Sequence, residues 1–304
     1  MKGFHLPSPL QELNIENDHS IRFFVKRDDL IHKDISGNKW RKLNYQIQDI
    51  IAQGQEGIIT FGGAFSNHIV AAAAASQLCG LKSVGIIRGE SVALDNPTLQ
   101  LAKSYGMNFH FVNRSAYRLK QGSDDIATII SKYPNFELIP EGGSHPRALI
   151  GVGEIIDELK KQVTIDFDYA LCSVGTGTTF AGLAKLFEGE LIGINALKNE
   201  SIVTEICAQL DQSSLQLNQT ILHDFHFGGY AKHTTELIDF MHQLYEHHKV
   251  KTDVIYTSKL FFAAIDLLKQ DYFKAGSHVL IYHSGGLQGN TGMNYRFPDL
   301  ITFV

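Results

Sequence analysis

Three glycine-marked turns hold the residues whose types and spacing could do chemistry. In the first, Ser173-Val174-Gly175-Thr176-Gly177-Thr178-Thr179 follows an apolar run and opens a helical pattern from Phe180 to Phe187. Glycines let main-chain N–H groups approach an anion, threonine hydroxyls add donors, and a helix N-terminus favours negative charge. The chemistry this suits is phosphate binding, although a tight strand–helix turn has the same look. Gly175-x-Gly177-x-x-x-Ala181 also meets a loose dinucleotide fingerprint. That use needs an acid about 20 residues on, at the next strand end, for the ribose. The chain has Asn195 there, Glu188 and Glu190 come too early, and a Walker lysine is absent.

The second turn is Ser36-Gly37-Asn38-Lys39-Trp40-Arg41-Lys42-Leu43. Asn38 or Ser36 can serve as N-cap, which puts Lys39 in a first helical turn. The helix dipole is positive there and disfavours the ammonium. A lysine so depressed is more often a neutral amine, the nucleophile a Schiff base requires. Taken alone, Lys39 also reads as a solvated surface lysine. The third turn, Gly62-Gly63-Ala64-Phe65-Ser66-Asn67-His68, again joins a strand pattern to a helix start. Ser66 and Asn67 could bind a carboxylate with hydroxyl and backbone amides, or simply cap the helix.

Other groups point elsewhere. His223 with His226, and His247 with His248, lack the H-E-x-x-H pattern, so they do not read as metal ligands. Asp28-Asp29 follow Arg27 and read as structural ion pairs. No Gly-x-Ser-x-Gly elbow supports an acyl-transfer triad.

The elements that must position these turns alternate strand and helix. Predicted strands are Ile21–Val25, Gly57–Phe61, Ser83–Ile87, Asn108–Val112, Phe136–Ile139, Asp168–Val174, Leu191–Ala196, Leu222–His226 and Val279–His283. Trp40, Leu43, Ile47, Ile50 and Ile51 step by three or four and predict one buried helix face. The Ala71–Ala75 run predicts one tightly packed helix. Alternation at this spacing predicts an α/β fold with mainly parallel, buried sheets. Ligands of such sheets bind beyond the carboxyl ends of strands, where the glycine turns at 62–63, 142–143, 175–177 and 285–286 fall.

The 304 residues, 44% of them hydrophobic, are enough for about two domains and a sizeable core. A net charge of -5 leaves no electrostatic footprint for nucleic acid. Three cysteines, Cys79, Cys172 and Cys207, are too few and too scattered for a disulfide framework or C-x-x-C metal site. The polar N-terminal segment predicts no signal peptide, and no apolar run approaches the ~20 residues a bilayer span needs. A cytoplasmic location is expected.

Taken together, the turns resemble the pyridoxal-phosphate enzymes of the tryptophan synthase β-subunit fold (fold type II). The resemblance is to the branch holding D-cysteine desulfhydrase and 1-aminocyclopropane-1-carboxylate (ACC) deaminase. The matching blocks are Lys26-Arg27-Asp28-Asp29-Leu30, Gly37-Asn38-Lys39-x-Arg41-Lys42-Leu43, Gly62-Gly63 with Ser66-Asn67-His68, Gly175-Thr176-Gly177-Thr178, Tyr256-Thr257-x-Lys259 and His283-Ser284-Gly285-Gly286. They run in the family's order across most of the chain.

The resemblance implies that Lys39 holds pyridoxal 5'-phosphate through a Schiff base and then acts as base on the substrate Cα. Asn67 would bond the cofactor's phenolic oxygen and Ser66 the substrate carboxylate. Gly175, Thr176, Gly177, Thr178 and Thr179 would hold the phosphate. Ser284, with Thr257, would face the pyridine nitrogen, and Tyr230 and Tyr256 would orient ring and substrate. Tyr230 also reads as an ordinary half-buried tyrosine.

Two open, twisted, mainly parallel sheets flanked by helices are implied. The larger cofactor domain would comprise residues 1–42 and 155–304, and an inserted smaller domain 43–154. A homodimer is implied as well. Thr257 stands where ACC deaminases carry glutamate, and His68 follows Ser-Asn as in the desulfhydrases. Phe65 and Trp40 depart from both groups. The expected activity is therefore a lyase converting D-cysteine to pyruvate, sulfide and ammonia. The alternatives are ACC ring opening to 2-oxobutanoate, a catalytically idle pyridoxal-phosphate protein, and a nucleotide-binding oxidoreductase using Gly175–Ala181.

Overall fold

The computed structural model describes residues 3–35, 37–89 and 95–303. Ser36, one of the two expected N-caps, lies outside them. The chain divides into two compact units, Met1–Asn38 with Leu149–Val304, and Lys39–Ala148. Both crossings run through a helix: α1 (Asn38–Ala52) carries the first and α6 (Pro146–Gln162) the second. These divisions fall at 38/39 and 148/149, whereas the sequence resemblance places them at 42/43 and 154/155.

The larger unit holds a six-stranded sheet in the order β1 (Leu10–Leu13), β2 (Arg22–Arg27), β10 (His278–His283), β7 (Tyr169–Val174), β8 (Glu190–Asn195) and β9 (Gln219–Leu222). β1 runs antiparallel to β2; every other pairing is parallel. Period-two alternation divides its side chains between two cores. Phe24, Ala170, Cys172, Val174, Leu191, Leu280 and Tyr282 meet Val152, Ile155 and Leu159 of α6 on one face. Phe23, Val25, Leu171, Ile192, Ile194, Val279 and Ile281 meet α10 (Thr257–Lys269) on the other, through Leu260, Phe261, Ala264 and Leu267. At ~1.5–3 kcal/mol per fully buried aliphatic side chain, these two layers are the main stabilising term of the unit.

The smaller unit holds four parallel strands in the order β5 (Asn108–Val112), β4 (Lys82–Arg88), β3 (Gly57–Gly63) and β6 (Phe136–Ile139). Ile59, Phe61, Val84 and Ile86 pack with Tyr117 and Ile126. Against β3 and β4 lies α2 (Asn67–Leu78), whose Ala71–Ala75 are all at most 1% exposed. Small side chains let that helix sit close to the sheet.

Three expectations need correction. β1 was not anticipated: Leu-Gln-Glu-Leu has no β-branched residue and is an edge strand held by pairing with β2. The last strand before α9 (Thr235–His248) is Gln219–Leu222, not Leu222–His226. Residues beyond Leu222 form a glycine turn, which cannot extend the ladder begun by Leu191↔Gln219. Ile51 is 47% exposed while Trp40, Leu43, Ile47 and Ile50 are buried. At 100° per residue Ile51 stands beyond the edge of the inward arc centred on the others.

Candidate active site

In the larger unit, segments far apart in sequence converge beyond the carboxyl ends of the parallel strands. Gly37 donates its N–H to the Asp28 carbonyl at 2.7 Å, and Asn38 donates its N–H to the Ser284 carbonyl at 3.1 Å. The Asn38 Nδ2 donates to Thr179 Oγ1 at 3.0 Å. Asn38 is thus the first residue of α1 and a brace across the unit, rather than an N-cap. Lys39 follows it directly. Gly37 has φ +64°, and a Cβ there would lie 1.7 Å from the Ser284 carbonyl oxygen, so only glycine admits this approach.

The 175–179 loop leaves β7 and enters α7 (Thr178–Ala184) through Gly177, whose φ is +78°. A Cβ on Gly175 would stand 3.1 Å from Tyr256 Cε1, so the half-buried tyrosine ring flanks the loop. Thr176 Oγ1 and Thr178 Oγ1 are 3.3 Å apart, and Gln209 Nε2 holds the Thr176 carbonyl at 2.8 Å. First-turn amides of a helix have no acceptor within it. With two threonine hydroxyls and a glycine-lined approach, the loop suits a phosphate monoester.

Ser284, 7% exposed, directly follows β10 with its Oγ 3.3 Å from Ser173 Oγ. Thr257 is committed differently: its hydroxyl donates to Asp253 Oδ2 at 2.7 Å and accepts from the Asp253 N–H at 2.8 Å. Asp253 also accepts from the N–H groups of Ile255, Tyr256 and Thr257. This carboxylate caps the start of α10 and fixes the backbone of Tyr256. Tyr230, 47% exposed, follows a turn in which Gly228 and Gly229 both have positive φ.

Arg27 and Asp29 form the expected ion pair, bidentate at 2.9 and 2.7 Å. Asp28 instead accepts from Ser8 Oγ and Tyr282 OH at 2.5 and 2.7 Å. Asn195 accepts from the Leu197 and Asn199 amides, a turn-closing role that leaves the dinucleotide reading without its ribose acid.

In the smaller unit Lys39 is the second residue of α1 and only partly exposed. Ser66 is the N-cap of α2 with φ -78° and ψ 119°, but its side chain makes no capping hydrogen bond. The plain capping role is therefore not the one its hydroxyl performs. Next to it, His68 is 2% exposed. Its Nε2 lies 2.8 Å from Thr60 Oγ1, and that hydroxyl donates onward to the Ile139 carbonyl at 2.8 Å. Thr60 can then only accept from the ring, which fixes the Nε2–H tautomer. Burial first, then the charges of Lys39 and Lys42, push the His68 pKa down to about 3, so the ring is neutral. That Lys39 acts on His68 places the amine and the Ser-Asn-His turn in one neighbourhood.

Sequence reading missed the bracing by Asn38 and Thr60, the Asp253 cap, and the full burial of Lys259, which it held only as part of the Tyr-Thr-x-Lys block. The Asp-x-x-x-Thr spacing at the start of α10 and a lysine directly before the apolar run Leu260–Ala264 were the signals available.

The donor set fits pyridoxal phosphate: a phosphate loop, a hydroxyl at the sheet end, and a lysine in a helix's first turn beside an uncharged histidine. A family model described as pyridoxal-phosphate dependent enzyme matches residues 1–285. A putative ACC deaminase of Pyrococcus abyssi is 29% identical, the match covering 93% of this chain and 90% of that protein. D-cysteine desulfhydrase of Klebsiella pneumoniae is 28% identical over 92% of each. A crystal structure of an ACC deaminase homologue superposes with a TM-score of 0.81 at 25% identity, covering 98% of this chain and 95% of that one. A match over this length, on a donor set that suits the cofactor, shows that the chain belongs to the pyridoxal-phosphate dependent enzyme family.

Proposed function

We propose that the protein is a lyase that converts D-cysteine and water to pyruvate, hydrogen sulfide and ammonia. The observation that carries this reading is the brace before Lys39: Asn38 is bonded to both Thr179 and Ser284. The residue that precedes Lys39 is thus bonded to the phosphate loop and to the main-chain carbonyl that follows β10. When bound, pyridoxal phosphate withdraws electrons from the amino acid's Cα and so acidifies its proton.

The chain's own residues do the rest. Lys39 holds the cofactor and takes the Cα proton. Gly175, Thr176, Gly177, Thr178 and Thr179 hold the phosphate, and Asn67 donates to the phenolic oxygen. Ser66, with the amides at the start of α2, receives the substrate carboxylate, the role its hydroxyl is left to perform. Ser284 faces the ring nitrogen as a neutral hydroxyl. It cannot protonate that nitrogen as a carboxylic acid would, which favours prompt loss of a β-leaving group over transamination. Tyr256 and Tyr230 orient ring and substrate. Thr257, its hydroxyl donating a hydrogen bond to Asp253, supports Tyr256 rather than the ring.

ACC ring opening is the second reading, favoured by the name of the Pyrococcus abyssi relative and opposed by Thr257 in place of glutamate. The proposal extends to a homodimer, on the strength of the resemblance, and to the cytoplasm, where the free thiols of Cys79, Cys172 and Cys207 would persist.

Absorption spectra before and after D-cysteine, followed by borohydride reduction and peptide mapping, test the reading. A yellow protein labelled at Lys39 that releases sulfide and pyruvate upholds it. Label on another lysine, or full activity in K39A, removes Lys39 from the mechanism. Release of 2-oxobutanoate from ACC without pyruvate from D-cysteine selects the second reading.

A further inference from the structure

Lys259 is 0% exposed, yet among the described residues no carboxylate forms an ion pair with it. Its ammonium has three N–H donors, and each meets a main-chain carbonyl: Ala196 at 3.1 Å, His226 at 2.8 Å and Gly229 at 2.8 Å. Ala196 directly follows β8, and the other two belong to the turn that delivers Tyr230.

An isolated buried charge is costly, and a helix's first turn adds an unfavourable dipole to an ammonium. Burial accordingly pushes the Lys259 pKa down to about 8, against the upward pull of Asp253. What favours the cation is the carbonyl bowl. Gly228 and Gly229 have φ +90° and +110°, a backbone that turns the 226 and 229 carbonyls toward one point. Carbonyl dipoles gathered so closely repel each other unless a positive group sits among them.

We propose that Lys259 is a positioning residue: its tethered cation holds the 226–229 turn closed against the end of β8, so that Tyr230 is presented in one orientation. The role of Tyr230 rests on the function proposed above; the closure of the turn does not.

Replacing Lys259 with alanine opens a cage that a small cation can refill. Hydrogen exchange by mass spectrometry on K259A should quicken in peptides covering 194–199 and 224–232 by about tenfold or more, since three buried acceptors lose their donor. Exchange in β7 and β10 should stay as in the wild type. Methylammonium should reverse the local effect, while tetramethylammonium, which has no N–H, should not. In K259M the side chain occupies the cage, so the same loosening should appear without rescue.

In the loaded enzyme, kcat for D-cysteine should fall in K259A and recover with methylammonium. Unchanged local exchange, loosening spread over the whole sheet, or no response to methylammonium would overturn the proposal. So would normal kcat in a K259A whose turn is loosened, if the wild type turns over D-cysteine. A wild type inert toward D-cysteine counts against the substrate reading alone, and the exchange arm still decides on Lys259. Should K259A fail to fold, refolding in methylammonium against tetramethylammonium asks the same question, and equal yields would count against the tethered cation.

Discussion

The His68 ring donates Nε2–H to Thr60 and, among the described residues, its buried Nδ1 has no hydrogen-bond partner. Protonating that nitrogen would bury a positive charge beside Lys39 and Lys42. In the folded state the pKa is about 3, against 6.5 for an unperturbed histidine. The unfolded chain therefore binds more protons between those values, and stability rises with pH across that window. The contribution is fully present above 6.5 and is lost as pH falls toward 3, with a slope of about 1.4 kcal/mol per pH unit. H68N should flatten this acid limb, as read by urea unfolding at a series of pH values. Parallel acid limbs in the two proteins would sink the account. His68 was visible in the sequence only as part of the Ser-Asn-His block. Its tautomer comes from Thr60 and Ile139, which β3 and β6 bring together by pairing, and its neutrality from burial beside Lys39 and Lys42; no local pattern displays either.

Among elements, the turn before α1 shows how backbone shape sets function. Gly37 and Gly54 flank the same helix with φ +64° and +71°, but a Cβ on Gly37 overlaps the Ser284 backbone while one on Gly54 meets nothing within 4 Å. G54A should cost ~1–2 kcal/mol, the left-handed penalty alone. G37A adds a clash with main chain that cannot swing away, so about 3 kcal/mol or more is expected, with loss of cofactor content. Thermal unfolding and the visible band measure both, and equal losses in the two variants would refute the argument. Glycine and periodicity made most elements legible: Asn108–Val112 and Phe136–Ile139 run as the sequence indicates. β1 was not legible, because an edge strand of Leu-Gln-Glu-Leu owes its state to β2. β9 was displaced because Phe225 and Phe227 sit in a turn that apolar content alone mistakes for a strand.

For the whole molecule, alternation in the sequence was enough for the α/β class, since every buried parallel strand must be followed by a covering element. Among the described residues no helix is long and apolar enough to cross a membrane. What sequence could not show is how firmly the chain's own contacts hold the phosphate loop. Gln209 holds the Thr176 carbonyl, Asn38 holds Thr179, and a Cβ on Gly177 would strike Ile206 at 2.5 Å. A loop fixed this way spends little ordering entropy on binding, so the phosphate should contribute much of the cofactor's affinity. Ligand present at 100 times its Kd stabilises by ~2.7 kcal/mol, which in a chain of this size is a rise of about 5 °C in Tm. Stripping the cofactor should lower Tm by that order, and pyridoxal phosphate should restore it. Pyridoxal, which keeps the aldehyde but lacks the phosphate, should restore only a fraction at equal concentration. If pyridoxal restores Tm fully, the 175–179 loop does not bind the phosphate. If inorganic phosphate alone gives part of the rise, and the rise disappears in N38A, the loop and its brace act as one unit.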